Sequence, residues 1–295
     1  MTLLVNPSSG GGRALAVLPG VQRALRAAGV DTQITHTESL QHARELAQAA
    51  VAAGRVPTTL SGDGLVGAVA GALADVPGAV MGVLPGGRGN DFARAAGIPL
   101  DPVLACAVIA TGVARPVDLG EIDGRYFIGI ASFGFDSDTN RIANDAPARL
   151  GSLVYAYGAL RALVSWKPAS FTVRVDGEEH TFRGWSVVAA NSKAYGGGMF
   201  VAPEADLHDG ILDIVMTHDC SRLRFLRTLP KVFKGTHVHE DVVHQLRGRE
   251  LRVGADRPFT VYADGDPIGE LPATIRCRPA AVSVLLPATG NGAPA

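Results

Sequence analysis

The chain has 295 residues, of which 47% are apolar and 19% charged, with a formal net charge of −1. That length makes two domains the expectation, the apolar share excludes a disordered chain, and the balanced charge gives no field to recruit nucleic acid. Three singly scattered cysteines, Cys106, Cys220 and Cys277, suggest neither a disulfide framework nor a zinc site and fit a reducing cytosol. The start, "MTLLVNPSSG", lacks the basic region of a signal peptide, and no run approaches the roughly 20 apolar residues of a spanning helix. A soluble, cytoplasmic protein is expected, at most resting on the inner face of a membrane.

In chain order, residues 2–6 read as a short strand stopped by Pro7. Residues 13–29 have helical spacing at Val17, Val21, Leu25 and Ala28, with Pro19 and Gly20 expected to delay the start. A strand over 30–37 precedes a helix over 39–54 that has an N-cap serine and a terminal glycine. Strands at 56–60 and 79–84 flank a helical stretch at 65–74. This alternation predicts a parallel sheet with helices on its faces. From about residue 117 the pattern changes to strand-like segments at 125–132, 170–177, 179–191, 210–218, 250–255, 258–265 and 273–279. Helical stretches interrupt them around 147–164 and 221–234, so a mostly antiparallel domain of sandwich type is expected. The tail 289–295 is expected to be disordered.

Ligands of an open parallel sheet bind at the carboxyl ends of its strands. Three loops fall there: "NPSSGGG" (6–12), "SGDGLVG" (61–67) and "PGGRGND" (85–91). Small residues let backbone N–H groups approach a phosphate, and each loop feeds the positive end of a helix. One such loop reads first as a simple turn; three at equivalent positions read as a nucleotide site. The P-loop pattern GxxxxGK(S/T) is absent. "GDGLVG" matches the dinucleotide fingerprint, but Asp63 sets an anion where a pyrophosphate would approach, and the next strand ends without a ribose-holding acid. An aspartate beside phosphates fits a divalent cation or waters between them, which favours phosphoryl transfer over hydride transfer.

These loops, in this order, resemble the diacylglycerol kinase catalytic-domain family, which includes bacterial lipid kinases and sphingosine and ceramide kinases. "NPSSG" (6–10) is similar to the family's NPxSG, "SGDGL" (61–65) to GGDGT and "PGGRGND" (85–91) to PxGTxND. Further on, "GFDSDT" (134–139) resembles GFDA, "YGGGMFVAPEADLHDGILDIV" (195–215) resembles a GGGM…DGxLD stretch, and "DGD" (264–266) stands where DGE is expected. The resemblance implies an α/β nucleotide-binding domain with a parallel sheet, related to NAD kinases and phosphofructokinases, over 1–116 and 280–288. A mostly antiparallel β-sandwich lipid-substrate domain would cover 117–279, and the strand at 281–287 would return to the first domain.

It also implies ATP held in a cleft by Asn6, Pro7, Ser9, Gly10, Thr37, Ser61, Gly62, Asp63, Gly64, Leu65, Gly67, Gly87, Arg88, Asn90 and Asp91. Mg²⁺ would assist at the phosphates, and a lipid with a free hydroxyl would be the acceptor. The implied base is Asp266, in the position of the family's glutamate, or Asp264. A structural Mg²⁺ would sit at Asp209, with positions Asp206 and Ile211 as backbone contributors. Three departures stand out: Ser61 and Leu65 replace a glycine and a threonine, Arg88 replaces a threonine, and Asp266 replaces a glutamate.

Each feature has a plainer reading. "DGD" is a strong hairpin signal, "DLHDG" (206–210) can be a turn, and His208, His237, His239 and His244 read as core or surface histidines. Arg88 either grips phosphate bidentately or pairs with Asp63 or Asp91, while Asn90 or Asp91 caps the helix that follows. Residues 221–235 set Arg222, Arg224, Arg227, Lys231 and Lys234 among Leu223, Phe225, Leu226, Leu229 and Phe233. They read either as a surface helix covering the sandwich or as a basic amphipathic helix on anionic lipid. "YAYGALRALVSW" (155–166) reads as a core helix or as lining for a lipid. The expected activity is an ATP- and Mg²⁺-dependent lipid kinase, transiently peripheral at a membrane, with a homodimer left open. The alternatives are a kinase of a soluble molecule, of NAD-kinase type, and a non-catalytic nucleotide-binding regulator.

Overall fold

The computed structural model describes residues 1–135, 137, 139, 163 and 166–288. The helix expected around 147–164, most of 155–166, Asp136 and Asp138 of "GFDSDT", and the tail 289–295 lie outside the described residues. The chain divides into two compact units, Met1–Val117 with the segment from Ala280 onward, and Asp118–Pro279.

The first unit is built on strands β1 (Thr2–Val5), β2 (Gln33–His36), β3 (Pro57–Ser61) and β4 (Val80–Pro85). Its helices are α1 (Arg13–Ala27), α2 (Leu40–Ala52), α3 (Asp63–Leu73), α4 (Asp91–Ala95) and α5 (Pro102–Thr111). The strands are parallel. Val5 pairs with both His36 and Leu60, and Ser61 with Pro85, so the carboxyl ends of all four strands lie level. That register brings the loops leaving β1, β3 and β4 to one edge of the sheet. Helix α3 is buried around most of its circumference, through Leu65, Val66, Ala68, Val69, Ala70 and Leu73. A helix apolar on every side requires such a place. Helix α2 starts where its serine predicts, with Ser39 Oγ accepting from His42 N at 3.0 Å.

Two details differ from expectation. Helix α1 runs unbroken through Pro19, so the proline does not delay its start. Pro19 and Leu15 are both exposed, which places the carbonyl that loses its partner where water can reach it. Helix α5 was not anticipated. Its start carries the signal in plain form, with Asp101 Oδ1 accepting from Val103 N at 2.7 Å and Pro102 at the first helical position.

Strand β5 (Val113–Ile122) leads from the first unit into the second. There follow β6 (Arg125–Phe127), β7 (Ile130–Gly134), β8 (Ala169–Val175), β9 (Glu178–Ala190), β10 (Leu212–His218), helix α6 (Arg222–Val232), β11 (Val243–Gly248), β12 (Glu250–Ala255), β13 (Thr260–Ala263), β14 (Asp266–Glu270) and β15 (Ala273–Leu286). Within the second unit the pairings are antiparallel: β9 pairs with β7, β8 and β10, and β12 pairs with β8 and the first residues of β15. β8 shows why these sequences make half-buried strands. Ala169, Phe171, Val173 and Val175 point inward, while Ser170, Thr172 and Arg174 point out. The inward rows meet in a core containing Phe133, Phe135, Trp166, Phe171, Trp185 and Phe225. The stretch 125–132 is two strands broken at Ile128 and Gly129, and β11 is an addition to the expected set. The segments 273–279 and 281–287 form one strand, whose Ser283 and Val284 pair in parallel with Val80 and Met81 of the first unit's sheet.

Replacing Pro19 with alanine restores a backbone donor inside α1 and removes the ring. An interior proline costs a helix about 3 kcal/mol, partly offset by the stiffness it gives the unfolded chain. Pro19→Ala is therefore expected to stabilise the fold by about 1–2 kcal/mol, read from urea denaturation midpoints.

Candidate active site

The candidate residues fall into two groups, one in each unit. In the first unit the three glycine loops converge, and Ser9 is the knot. Its hydroxyl accepts from Gly62 N at 3.1 Å and lies 3.4 Å from the carbonyl of Gly86, to which it donates. The backbones are so close that side chains have no room. Gly10 sits at φ +60°, and a Cβ there would come within 2.8 Å of Gly86 O. A Cβ on Gly87 would overlap the Cα of Gly62. Asn6 folds the first loop, its Oδ1 accepting from Ser8 N at 3.1 Å and Ser8 Oγ at 2.9 Å. Asn90, buried and at φ +53°, closes the third: its Oδ1 accepts from Gly87 N at 2.9 Å and its Nδ2 donates to Gly87 O at 3.1 Å.

Asp63 belongs to the second loop but serves the third. Its Oδ2 accepts from Asp91 N at 3.0 Å and its Oδ1 from Phe92 N at 2.9 Å. It therefore caps α4 from a neighbouring loop, where Asn90 or Asp91 was expected to cap. Asn90 is occupied with Gly87, so its side chain makes no cap bond. With Asp63 turned away, α3 has no side-chain cap, and Gly62 before it has none to give. The amides of Asp63, Gly64 and Leu65 have no hydrogen-bond partner among the described residues. Uncapped amides at the positive end of an eleven-residue helix are anion-ready. Leu65 offers only its amide there, because its side chain is buried, as is Gly67. Ser61 is buried at the end of β3, its carbonyl accepting from Gly86 N at 2.7 Å. Thr37 is buried at the end of β2, with its hydroxyl 3.4 Å from Val5 O. Pro7 stays in the turn between Asn6 and Ser8.

Arg88 is exposed on this edge and makes no ion pair among the described residues, so it pairs with neither Asp63 nor Asp91. A second cation, Arg13, begins α1 with its Nη1 at 3.5 Å from Gly87 O. Sequence reasoning passed over Arg13; its signal was the position, directly after the last glycine of the first loop.

In the second unit, "DGD" is a two-residue hairpin joining β13 to β14, with Asp264 at φ +51° and Gly265 at φ +92°. The two carboxylates at its edges have different surroundings. Asp264 accepts from Ile128 N at 2.8 Å, Gly129 N at 2.9 Å and Ile130 N at 3.1 Å. Asp266 accepts no hydrogen bond among the described residues. Asp266 is exposed to solvent at the turn; partial desolvation by the atoms around it raises its carboxyl from the ordinary aspartate value, and the charge of Arg125 opposes that shift. Arg125 is held in place by donating to Ile268 O at 2.8 Å.

Behind this turn lies a polar chain that sequence reasoning missed. Buried Asn191 donates to Ile128 O at 2.9 Å and to Asp118 O at 2.8 Å. Buried Asp118 in turn accepts from Gly210 N at 2.7 Å and donates its own amide to Leu207 O at 2.8 Å. The acidic turn and the 206–210 loop are thus fixed to one another inside the second unit. On that loop Asp206 Oδ1 accepts from His208 N at 3.0 Å and Asp209 Oδ1 from Ile211 N at 3.1 Å. The other oxygen of Asp209 pairs with Arg247, whose Nε lies 3.3 Å from buried Asp213. Among the described residues no three acids, histidines or cysteines gather to hold a metal. The guanidinium already supplies the positive charge at Asp209, so these side chains as arranged do not fit a resident cation. His237 is buried with Nε2 at 3.0 Å from Val201 O, and His244 packs on His218 at a ring distance of 4.0 Å.

Comparisons with known proteins bear on both groups. Residues 1–122 match the family model described as the diacylglycerol kinase catalytic domain, and residues 129–286 match the YegS C-terminal NAD kinase beta sandwich-like domain. A diacylglycerol kinase of Mycobacterium tuberculosis is 36% identical over 98% of this chain and 96% of that protein. A protein of Pseudomonas fluorescens named "Probable lipid kinase YegS-like" is 32% identical over 93% of this chain and 95% of its own length. In fold, the chain resembles a crystal structure of a diacylglycerol kinase from Bacillus anthracis, with a TM-score of 0.76 at 21% identity, covering 97% of this chain and 96% of that one.

Two substitutions test the geometry. Gly87→Ala forces the second and third loops apart and is expected to destabilise by about 1–3 kcal/mol, as overpacking does. Asp264→Ala leaves three amides without their acceptor and is expected to cost a comparable amount, about 1–3 kcal/mol. Chemical denaturation curves of each variant against the parent measure both.

Proposed function

We propose that this chain, which belongs to the diacylglycerol kinase catalytic-domain family of lipid kinases, transfers the γ-phosphoryl group of ATP to a free hydroxyl of a diacylglycerol-type lipid. The observation that carries the reading is the convergence of three glycine loops on the uncapped end of α3, with Arg13 and Arg88 beside them. Such an edge suits a polyphosphate, since oriented amides and guanidinium groups bind its oxygens without needing a specific base contact. Diacylglycerol is the preferred acceptor because a relative 36% identical over nearly the whole chain bears that name.

Phosphoryl transfer asks the protein for positioning, for stabilisation of charge on the transferred group, and for an acceptor of the hydroxyl proton. In this reading the amides of Asp63, Gly64 and Leu65 and the guanidinium of Arg88 hold the phosphates of Mg²⁺-bound ATP, the donor substrate. Asp266 takes the proton as the hydroxyl oxygen bonds to phosphorus and ADP leaves. The structure favours Asp266 over Asp264 for this step. Asp264 has its oxygens occupied by three amides, whereas Asp266, exposed at the turn, has a carboxylate with lone pairs to offer. Asp264 then acts as a positioning residue that fixes the turn.

The sign of the pH dependence follows. A base must be deprotonated to work, and partial desolvation raises the Asp266 carboxyl, so the acidic limb of kcat/KM should lie above the ordinary aspartate value. Arg125→Gln removes the opposing charge and should move that limb to still higher pH. Asp266→Asn should lower kcat by about 10²–10⁴-fold with the fold intact, a loss in the usual range for a general base. Normal turnover in Asp266→Asn would reject this residue as the base. Arg88→Thr should raise the KM for ATP with a smaller effect on kcat; an unchanged KM would remove Arg88 from the phosphate site.

A further inference from the structure

Helix α6 presents a surface that the fold of its own unit does not use. Its inward face is made by Phe225, Thr228, Leu229 and Val232, three and four residues apart as one helix face requires. Phe225 stacks on Trp185 at a ring distance of 4.1 Å and meets Phe135 edge-on at 4.8 Å, which fixes how the helix is rolled. Ser221 caps its start by accepting from Arg224 N at 3.3 Å. With that roll set, Leu223, Leu226, Pro230 and Phe233 fall on one outward stripe, again spaced by three and four. Leu223 is 58% exposed, Leu226 37% and Phe233 58%. A stripe of large apolar side chains left in water on a helix this short calls for an occupant.

The cations around the stripe say which occupant. Arg224 pairs with Asp241, Lys231 with Glu240, and Arg222 donates to Trp166 O at 3.1 Å. Arg227 and Lys234, seven residues apart and so on one row, have no partner among the described residues and border the apolar stripe. An apolar stripe edged by unpaired cations matches the boundary of an anionic bilayer, where the apolar residues enter the acyl region and the cations stay at the headgroups. A nucleic acid would leave the apolar stripe uncovered. A second copy packed helix to helix would bring Arg227 and Lys234 against their own equivalents. No helix among the described residues is long and apolar enough to cross a membrane.

We propose that the outward face of α6 is the surface by which this protein docks on membranes carrying anionic lipid. The proposal rests on the lipid-kinase reading for its purpose but not for its test. The full chain is sedimented with phosphatidylcholine vesicles and with vesicles in which about a third of the lipid is phosphatidylglycerol, at low and high salt. Stronger binding to the anionic vesicles that weakens with salt is expected. Arg227→Gln with Lys234→Gln should lower anionic-vesicle partitioning about tenfold or more and leave the weak neutral binding nearly unchanged. Leu223→Ser with Phe233→Ser should lower binding to both. Both pairs are exposed, and circular dichroism checks that the fold is kept.

Phosphorylation of a short-chain diacylglycerol dispersed below its aggregation limit should be unchanged in every variant, because that substrate needs no docking. Variants that bind vesicles like the parent overturn the proposal. So does a parent that self-associates through the stripe, detected as a dimer in sedimentation velocity and lost in Leu223→Ser. A parent that docks on vesicles through α6 but phosphorylates no lipid would instead reject the reading of the reaction and leave the surface standing.

Discussion

One hydroxyl group holds together the edge of the sheet on which the first unit's site depends. Ser9 joins the second and third loops by accepting from one and donating to the other, across backbones too close to admit a side chain at Gly10 or Gly87. The level ends of four parallel strands make this meeting possible, since a one-residue shift of β3 or β4 would carry its loop more than 3 Å along the strand. The glycines are therefore a geometric necessity before they are a ligand-binding device. What they leave behind is a short wall of amides without a hydrogen-bond partner among the described residues.

The second unit solves a different problem, that of giving two neighbouring aspartates two functions. The hairpin places both at its edges, and backbone from a distant turn decides between them. Three amides at 128–130 converge on Asp264, and none reaches Asp266. The buried chain through Asn191 and Asp118 then ties that turn to the 206–210 loop, where Arg247 pairs with Asp209. Asn191 holds this support through its Nδ2 alone, since its buried Oδ1 has no hydrogen-bond partner among the described residues, and a base that must meet a substrate hydroxyl gains from a fixed support.

Much of this could be read from the residues. The alternation of strand and helix, and the later period-two pattern of segments such as β8, gave the two architectures, because each rests on local spacing. The three loops were visible as glycine clusters after apolar runs. What was hidden depended on contacts between residues far apart in sequence. Nothing around Asp63 says that it will cap a helix 28 residues on, and nothing around "DGD" says that Asp264 is satisfied by amides some 135 residues earlier. The path of α1 through Pro19 was misjudged because the cost of a proline depends on whether its orphaned carbonyl meets water, a tertiary fact. The start of α5 is legible in the residues alone, as a capping aspartate followed by a proline at the first helical position.

The turning of Asp63 away from its own loop has an electrostatic consequence. It is the acid inside the second glycine loop, and both its oxygens are turned onto two amides of α4. The edge it vacates keeps the bare positive end of α3 together with Arg13 and Arg88. A chain with a net charge of only −1 thus gathers two guanidinium groups and the positive end of a helix on one rim. Encounter with a polyanion there would be drawn by a short-range field, faster in dilute buffer and blunted as added ions shrink the screening length toward the width of the rim itself.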